Sequence, residues 1–254
     1  MRQPRRHTGF SLTEVLLAVA TLAVGMLFVG GTFVLGIFYS ARATEQTIAA
    51  VVAEEAVTKI RLYGFAREPN SIGYTLYGPR QPEMGPDQVL YPSDRMDPDE
   101  FLYPSGRGMG GSERQYSWSA LCKRQAADPN SRLVQATVFV SRTAGIGARP
   151  VPTSLQISGV STDWVQFPDA KSVDLLYEGS VLVDDVTGQV YRVLEIGPSG
   201  SDRVRLDRPW QGTSATAVWA VPRPSPTAGG RNPCIAVYQT EMRMPRGPQI
   251  RPNP

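Results

Sequence analysis

The sequence has a single histidine, His7, and it falls within the first nine residues. The rest of the chain has no imidazole for acid–base work near neutral pH or for holding a metal. That excludes serine and cysteine triads of the usual kind and the common zinc sites. No glycine-rich phosphate-binding motif is present. Neighbouring acids such as Asp184 and Asp185 read as turn residues or solvated charges. No spacing singles out a carboxylate pair of the kind that hydrolyses glycosides. With no constellation that meets the geometry of catalysis, the chain reads as a non-enzyme.

A basic excess is lacking as well. The formal charge is +3, but Arg2, Arg5 and Arg6 all lie in the first nine residues. Removing those three charges leaves the remainder formally neutral. No basic stripe with interleaved aromatics appears, so direct nucleic-acid binding is not expected. Cysteine is scarce, with only Cys122 and Cys234. In an exported chain that pair permits one disulfide, worth about 4–5 kcal/mol in the chain-entropy picture because the loop is long. Two unpaired buried thiols are the other reading; export favours the bridge.

Charge is missing altogether from Val15 to Phe38. As a helix this run is roughly 36 Å long, against a bilayer core of about 30 Å. It is too long for the apolar region of a secretory signal peptide, which spans about 7–15 residues. An uncleaved signal anchor is the ordinary alternative. Two features argue against it. Gly9 precedes the apolar run, so a cut there would leave the anchor on the mature chain. Glu14 lies just inside the apolar boundary, where a carboxylate at bilayer depth costs roughly 2–3 kcal/mol or more. A new amino terminus at Phe10 would supply a cation one helical turn away. The pairing can be made within one chain or with a neighbour, and the second would set the axial register of stacked helices.

The stretch Gly9-Phe10-Ser11-Leu12-Thr13-Glu14-Val15-Leu16-Leu17-Ala18 resembles the cleavage and methylation motif of type IV pilins and type II secretion pseudopilins. The resemblance extends through the apolar run to about residue 64. It implies that a membrane prepilin peptidase cuts after Gly9, that Phe10 becomes the methylated terminus and that Glu14 is the assembly residue. It also implies partners: other pilins or pseudopilins through the helix, and an inner-membrane assembly platform. Thr13 departs mildly from the family, which usually has a bulky apolar residue there. The implied location is the bacterial inner membrane, crossed once, with the leader cytoplasmic and the head periplasmic. From there the subunit joins a periplasmic or extracellular filament.

Within the helix, Gly25, Gly30, Gly31 and Gly36 each cost about 1 kcal/mol against alanine. Close helix packing along small-residue ridges such as Thr32, Gly36 and Ser40 is one reading. Local unwinding around Gly30-Gly31 when subunits leave the membrane for a filament is another, and simple tolerance of glycine in membrane helices is a third. Beyond Tyr39, Ile48, Val52, Ala56 and Ile60 recur at helical spacing, and Glu55 and Lys59 form a favourable i,i+4 pair. One helix from about Ser11 to Leu62 is predicted, its second half burying that stripe.

Residues 65–115 are rich in glycine, proline, aspartate and tyrosine and read as loops with at most one short strand. Asp94, Asp97, Asp99 and Glu100 cluster there. Some pseudopilins hold calcium with such a loop, but the spacing matches no EF-hand and a solvated loop is the favoured reading. No cofactor or other metal is expected. Tyr116 to Leu121 and Leu133 to Val140 read as an antiparallel pair. Their pattern is similar to the sheet of V-type minor pilins and I-type minor pseudopilins, and Leu155 to Val160 is a candidate edge strand. Val181 to Asp185 and Val190 to Leu194 flank a Thr187-Gly188 turn as a hairpin. Val204–Leu206, Ala217–Val221 and Cys234–Tyr238 add further short strands, suggesting a small antiparallel barrel or sandwich.

The expected class is α+β: a long amino-terminal helical stalk, transmembrane over 15–38, packed on an antiparallel β-rich head, with an additional carboxy-terminal all-β block. The divisions are a basic leader at 1–9, the helix at 10–64, loops at 65–115, a pilin-like sheet at 116–160 and the β-rich block at 161–250. The expected function is a minor pilin or pseudopilin subunit of a type IV pilus or type II secretion pseudopilus. A surface adhesin or substrate-binding head on the same stalk is an alternative, as is a component of a competence pseudopilus for DNA uptake.

Overall fold

The computed structural model describes residues 11–63, 75–78, 98–105, 115–125, 132–143, 150–198, 200–211, 217–223 and 232–244. Helix α1 runs Leu12–Tyr63 without interruption, within a residue of the predicted bounds. It continues through Gly30 and Gly31 in the single chain. The threonines along it turn their hydroxyls back on the helix. Thr21 donates to the carbonyls of Leu17 and Ala18, and Thr32 to those of Phe28 and Val29, at 2.9–3.0 Å. Polar groups on the apolar run are thereby satisfied within the segment, as a lipid environment requires.

The chain divides into two compact units, Met1–Thr47 and Ile48–Pro254. In the first, the large apolar side chains from Leu12 to Tyr39 are exposed. In the second, the last four turns of α1 cover one face of an antiparallel sheet. That sheet contains β1 (Thr75–Tyr77), β2 (Leu102–Tyr103), β3 (Tyr116–Arg124), β4 (Leu133–Arg142) and β12 (Cys234–Arg243). Its order is β1-β3-β4-β12, with β2 paired to β3. The contact face of the helix is the predicted stripe widened by alanine: Ala49, Val52, Ala53, Ala56 and Ile60 are buried, and Ile48 is partly so. They meet Trp118, Ala120 and Cys122 of β3 and Val134, Ala136, Val138 and Val140 of β4. Small residues on both sides let the helix approach the sheet closely, which compensates in dispersion for the modest area of each side chain.

A second, seven-stranded antiparallel sheet contains β5 (Thr153–Gln156), β6 (Gly159–Val160), β7 (Trp164–Gln166), β8 (Val181–Asp184), β9 (Val190–Ile196), β10 (Arg203–Leu206) and β11 (Ala217–Ala220). The order is β5-β11-β8-β9-β10-β7-β6. Strands from β5 to β7 in that order, with the short helix α2 (Ala170–Asp174), contribute to one core around Phe167, Leu176, Leu182, Tyr191 and Val204. The sheet is therefore bent around that core. The β8–β9 hairpin forms at the predicted turn, with Leu182 opposite Tyr191.

Two strand assignments are corrected. The Leu155–Val160 segment is not an edge of the first sheet. It splits into β5 and β6, which lie at opposite ends of the second. Cys234–Tyr238 does not belong to the later block; it begins β12, which pairs with β4 from Cys234↔Ser141 to Arg243↔Leu133. The second sheet is thus inserted between β4 and β12, so a division at residue 160 cuts through it. Strand membership depends on backbone pairing partners distant in sequence, and short β-rich segments carry no local mark of them.

The two sheets also face each other. Leu121 and Phe139 from the back of the first sheet form a buried cluster with Val183 and Val221, joined by Val190, Trp219, Cys234 and Val237. The first sheet is therefore covered on both faces, by helix on one and by strands on the other.

Candidate functional site

The sequence-predicted site residues lie at the start of α1. Gly9 and Phe10 fall outside the described residues. Ser11 caps the helix: its hydroxyl accepts from the Thr13 backbone N–H at 3.2 Å, and its carbonyl accepts from Glu14 and Val15 at 3.0 and 3.2 Å. Glu14, exposed in the first turn, turns a carboxylate oxygen back to the Ser11 backbone N–H at 3.4 Å. This is half of a capping box: the Glu14 carboxylate returns to the Ser11 N–H, while the Ser11 hydroxyl takes the Thr13 N–H in place of that of Glu14. Its sequence signal is serine followed three residues later by glutamate, which the charge argument for Glu14 does not draw on. The carboxylate near the positive end of the helix dipole is also favourably placed. Glu14 therefore orders the start of the segment that it stands on.

Further along α1, Val29, Thr32, Phe33, Gly36, Ile37 and Ser40 line one shallow groove. A Cβ at Gly25, Gly30, Gly31 or Gly36 would meet nothing within 4 Å, so within a single chain these glycines leave open surface. α1 is the one helix among the described residues that is long and apolar enough to cross a membrane, consistent with single-pass anchoring.

At its other end, α1 is tied to the first sheet by a network that the sequence showed only in part. The predicted Glu55–Lys59 pair forms at 2.7 Å. Lys59 also donates to the Glu100 backbone carbonyl at 2.6 Å, and the Trp118 indole N–H donates to the same oxygen at 3.0 Å. Ser105 donates its hydroxyl to Glu55. One carbonyl thus joins helix, loop and sheet. Of the acidic cluster, Asp94 and Asp97 lie outside the described residues. Asp99 is exposed and Glu100 half-buried, on a short 3-10 turn at Pro98–Phe101.

The Cys122–Cys234 disulfide is corrected. Both cysteines are free. Cys122 stands opposite Ala136, whereas Cys234 stands opposite Ser141, which itself faces Ser117 on β3. The two positions are five residues apart along the strand direction, roughly 16 Å, and two strands apart. An odd offset also places them on opposite faces: Cys122 points to the helix and Cys234 to the second sheet. A disulfide needs Cα atoms within about 7 Å. Burial raises the thiol pKa of Cys122 and pushes that of Cys234 up to about 12.

No family model, curated protein or solved structure matches the chain. The pilin-like resemblance rests on the ten residues from Gly9 to Ala18 and the helix that follows.

Proposed function

We propose that this chain is a non-enzymatic prepilin-type subunit, a minor pilin or pseudopilin. It is cleaved after Gly9, held in the inner membrane by α1 and assembled through that helix into a type IV pilus or type II secretion pseudopilus. The observation that carries the reading is the start of α1: one carboxylate, Glu14, stands in the first turn of a helix otherwise free of charge to Phe38. A carboxylate is expensive at bilayer depth and is retained there where it is paired or functional. The exposed apolar surface of Leu12 to Tyr39 suits lipid before assembly and neighbouring helices after it. The alanine-rich second half, seated on the first sheet, would carry the head with the helix.

The deciding experiment is mass spectrometry of the mature amino terminus in a host that expresses a prepilin peptidase. A chain beginning at methylated Phe10 is expected, and Gly9 replaced by a bulky residue should leave the leader in place. An intact leader on the wild-type chain overturns the proposal.

A further inference from the structure

The outward face of the second sheet carries a cleft unrelated to the helix. It has a volume of about 520 Å³, within the range of small-molecule sites. Its floor is β7, where Trp164 and Gln166, two residues apart, share one face. Gln166 stands between Gly159 of β6 and Arg203 of β10 in a single cross-strand row. The alternate residues on those strands, Val165 and Val204, are buried in the core beneath. Gly197, Pro198 and Ser201 lie on the rim, and a Cβ on Gly197 would collide with the Ser201 side chain. The floor is therefore held by strand pairing, and the rim by the close packing of the Ser201 side chain on Gly197.

The polar groups of the cleft have hydrogen-bonding capacity to spare. Gln166 donates its amide NH₂ to Asp202 at 2.7 Å. A carboxylate only accepts, so this fixes the amide and leaves Oε1 as an acceptor. Arg203 is exposed, and among the described residues its nearest carboxylate oxygen, on Asp202, is 3.7 Å away, beyond hydrogen-bond distance. The half-buried Trp164 brings an indole to the lining. Asp163, Glu195 and Asp202 surround Arg203 and Arg205, and Arg205 is already engaged by Asp163 at 3.2 Å. The acids outnumber the arginines, so the face does not attract a polyanion.

We propose that this cleft binds a neutral saccharide. The apolar face of a pyranose ring would lie on Trp164, and its hydroxyls would meet Gln166 Oε1 and the Arg203 guanidinium. An indole beside an amide of fixed orientation and an uncommitted guanidinium suits a ring that is apolar on one face and rich in hydroxyls at its edge. This inference is independent of the assembly reading.

The test uses the full chain in a non-glycosidic detergent, with calorimetric titration of maltotriose, mannotriose, galactotriose and N-acetylchitotriose. Tri-galacturonate and a single-stranded oligothymidylate serve as anionic arms. Binding of at least one neutral trisaccharide is expected. Trp164→Ala should weaken it about tenfold or more, the equivalent of 1.4 kcal/mol. Ser161→Trp, on the exposed lip, should block it while leaving thermal unfolding unchanged, which covers the case in which Trp164→Ala fails to fold. The proposal is overturned if no neutral sugar binds, if only an anionic arm binds, or if binding survives Ser161→Trp.

Discussion

Lys123 reaches from β3 across to the second sheet and donates its ammonium protons to the backbone carbonyl of Asp185 at 3.0 Å, and to that of Val186 beside it at 2.6 Å. Gln239 of β12 makes a parallel link, donating to the Gly188 carbonyl at 2.8 Å. Both hold the β8–β9 turn against the first sheet, and the Leu121–Phe139–Val183 cluster lies between the sheets. The second sheet is thus built into the head. Hydrogen bonds from a charged donor contribute roughly 1.5–3 kcal/mol, so Lys123→Met should lower stability by about 2 kcal/mol in chemical denaturation. The wild-type head should unfold in one transition seen alike by tryptophan fluorescence and circular dichroism. Two separate transitions would show that the sheets are independent.

Between the sheets lies a row of small hydroxyls. Ser117 and Ser119 are almost fully buried, and among the described residues their hydroxyl oxygens have no hydrogen-bond partner; Ser141, equally buried, lies beside the Cys234 thiol. A buried hydroxyl without a partner costs on the order of 1–3 kcal/mol. Ser119→Ala is therefore expected to leave stability unchanged or raise it by up to about 1 kcal/mol, read from the denaturation midpoint. A loss of more than about 1 kcal/mol would mean that the hydroxyl has a stabilising partner.

These serines also show where sequence reasoning stopped. The alternation Tyr116-Ser117-Trp118-Ser119 marks a strand with one apolar face, and that much was legible. Serine on the other face reads as wet, yet here it is covered, because small side chains let a second sheet approach. The helix was legible almost to the residue, since a charge-free run followed by a 3.6-residue apolar stripe leaves little else to form. The insertion between β4 and β12 was not, because pairing is a long-range property. At the candidate site, Glu14 stood out by its cost in an apolar setting. Its link to Ser11 is marked only by the serine-to-glutamate spacing of a helix start, a signal that the cost of a buried charge does not carry.

The free cysteines give a chemical prediction. Without reductant, both should resist iodoacetamide at pH 8 in the folded chain and both should be alkylated after unfolding. A mass two protons lighter with no alkylation on unfolding would restore the disulfide. The pH dependence follows in sign. The folded pKa of Cys234 is raised from the ordinary value of about 9 to about 12, so the native state keeps a proton that the unfolded chain releases. Its contribution to stability is complete below about pH 9 and is lost as pH rises toward 12. Replacing Cys234 by Ala should flatten that part of the stability profile.

The alanine face of α1 sets the distance between helix and sheet. Ala56 is fully buried among residues that include Ala120 and Ala136 in the same cluster. Ala56→Leu adds volume where neither side has room, at a cost of about 1–3 kcal/mol through displaced neighbours. Leucine and alanine are both good helix formers, so propensity adds little to the change. Thermal unfolding should show the loss, whereas the exposed control Ala50→Leu should be near neutral.

Glu14 has two candidate duties, and one pair of variants separates them. As a capping residue it needs an acceptor oxygen for the Ser11 N–H, which glutamine also supplies. As a register residue it needs a negative charge to meet a cationic amino terminus, which glutamine lacks. Glu14→Gln and Glu14→Ala should both insert in the membrane. On the assembly reading both should fail to enter filaments, measured by immunoblotting of sheared fractions against membrane fractions. If Glu14→Gln assembles normally while Glu14→Ala does not, Glu14 acts through the cap and the charge-pairing argument falls.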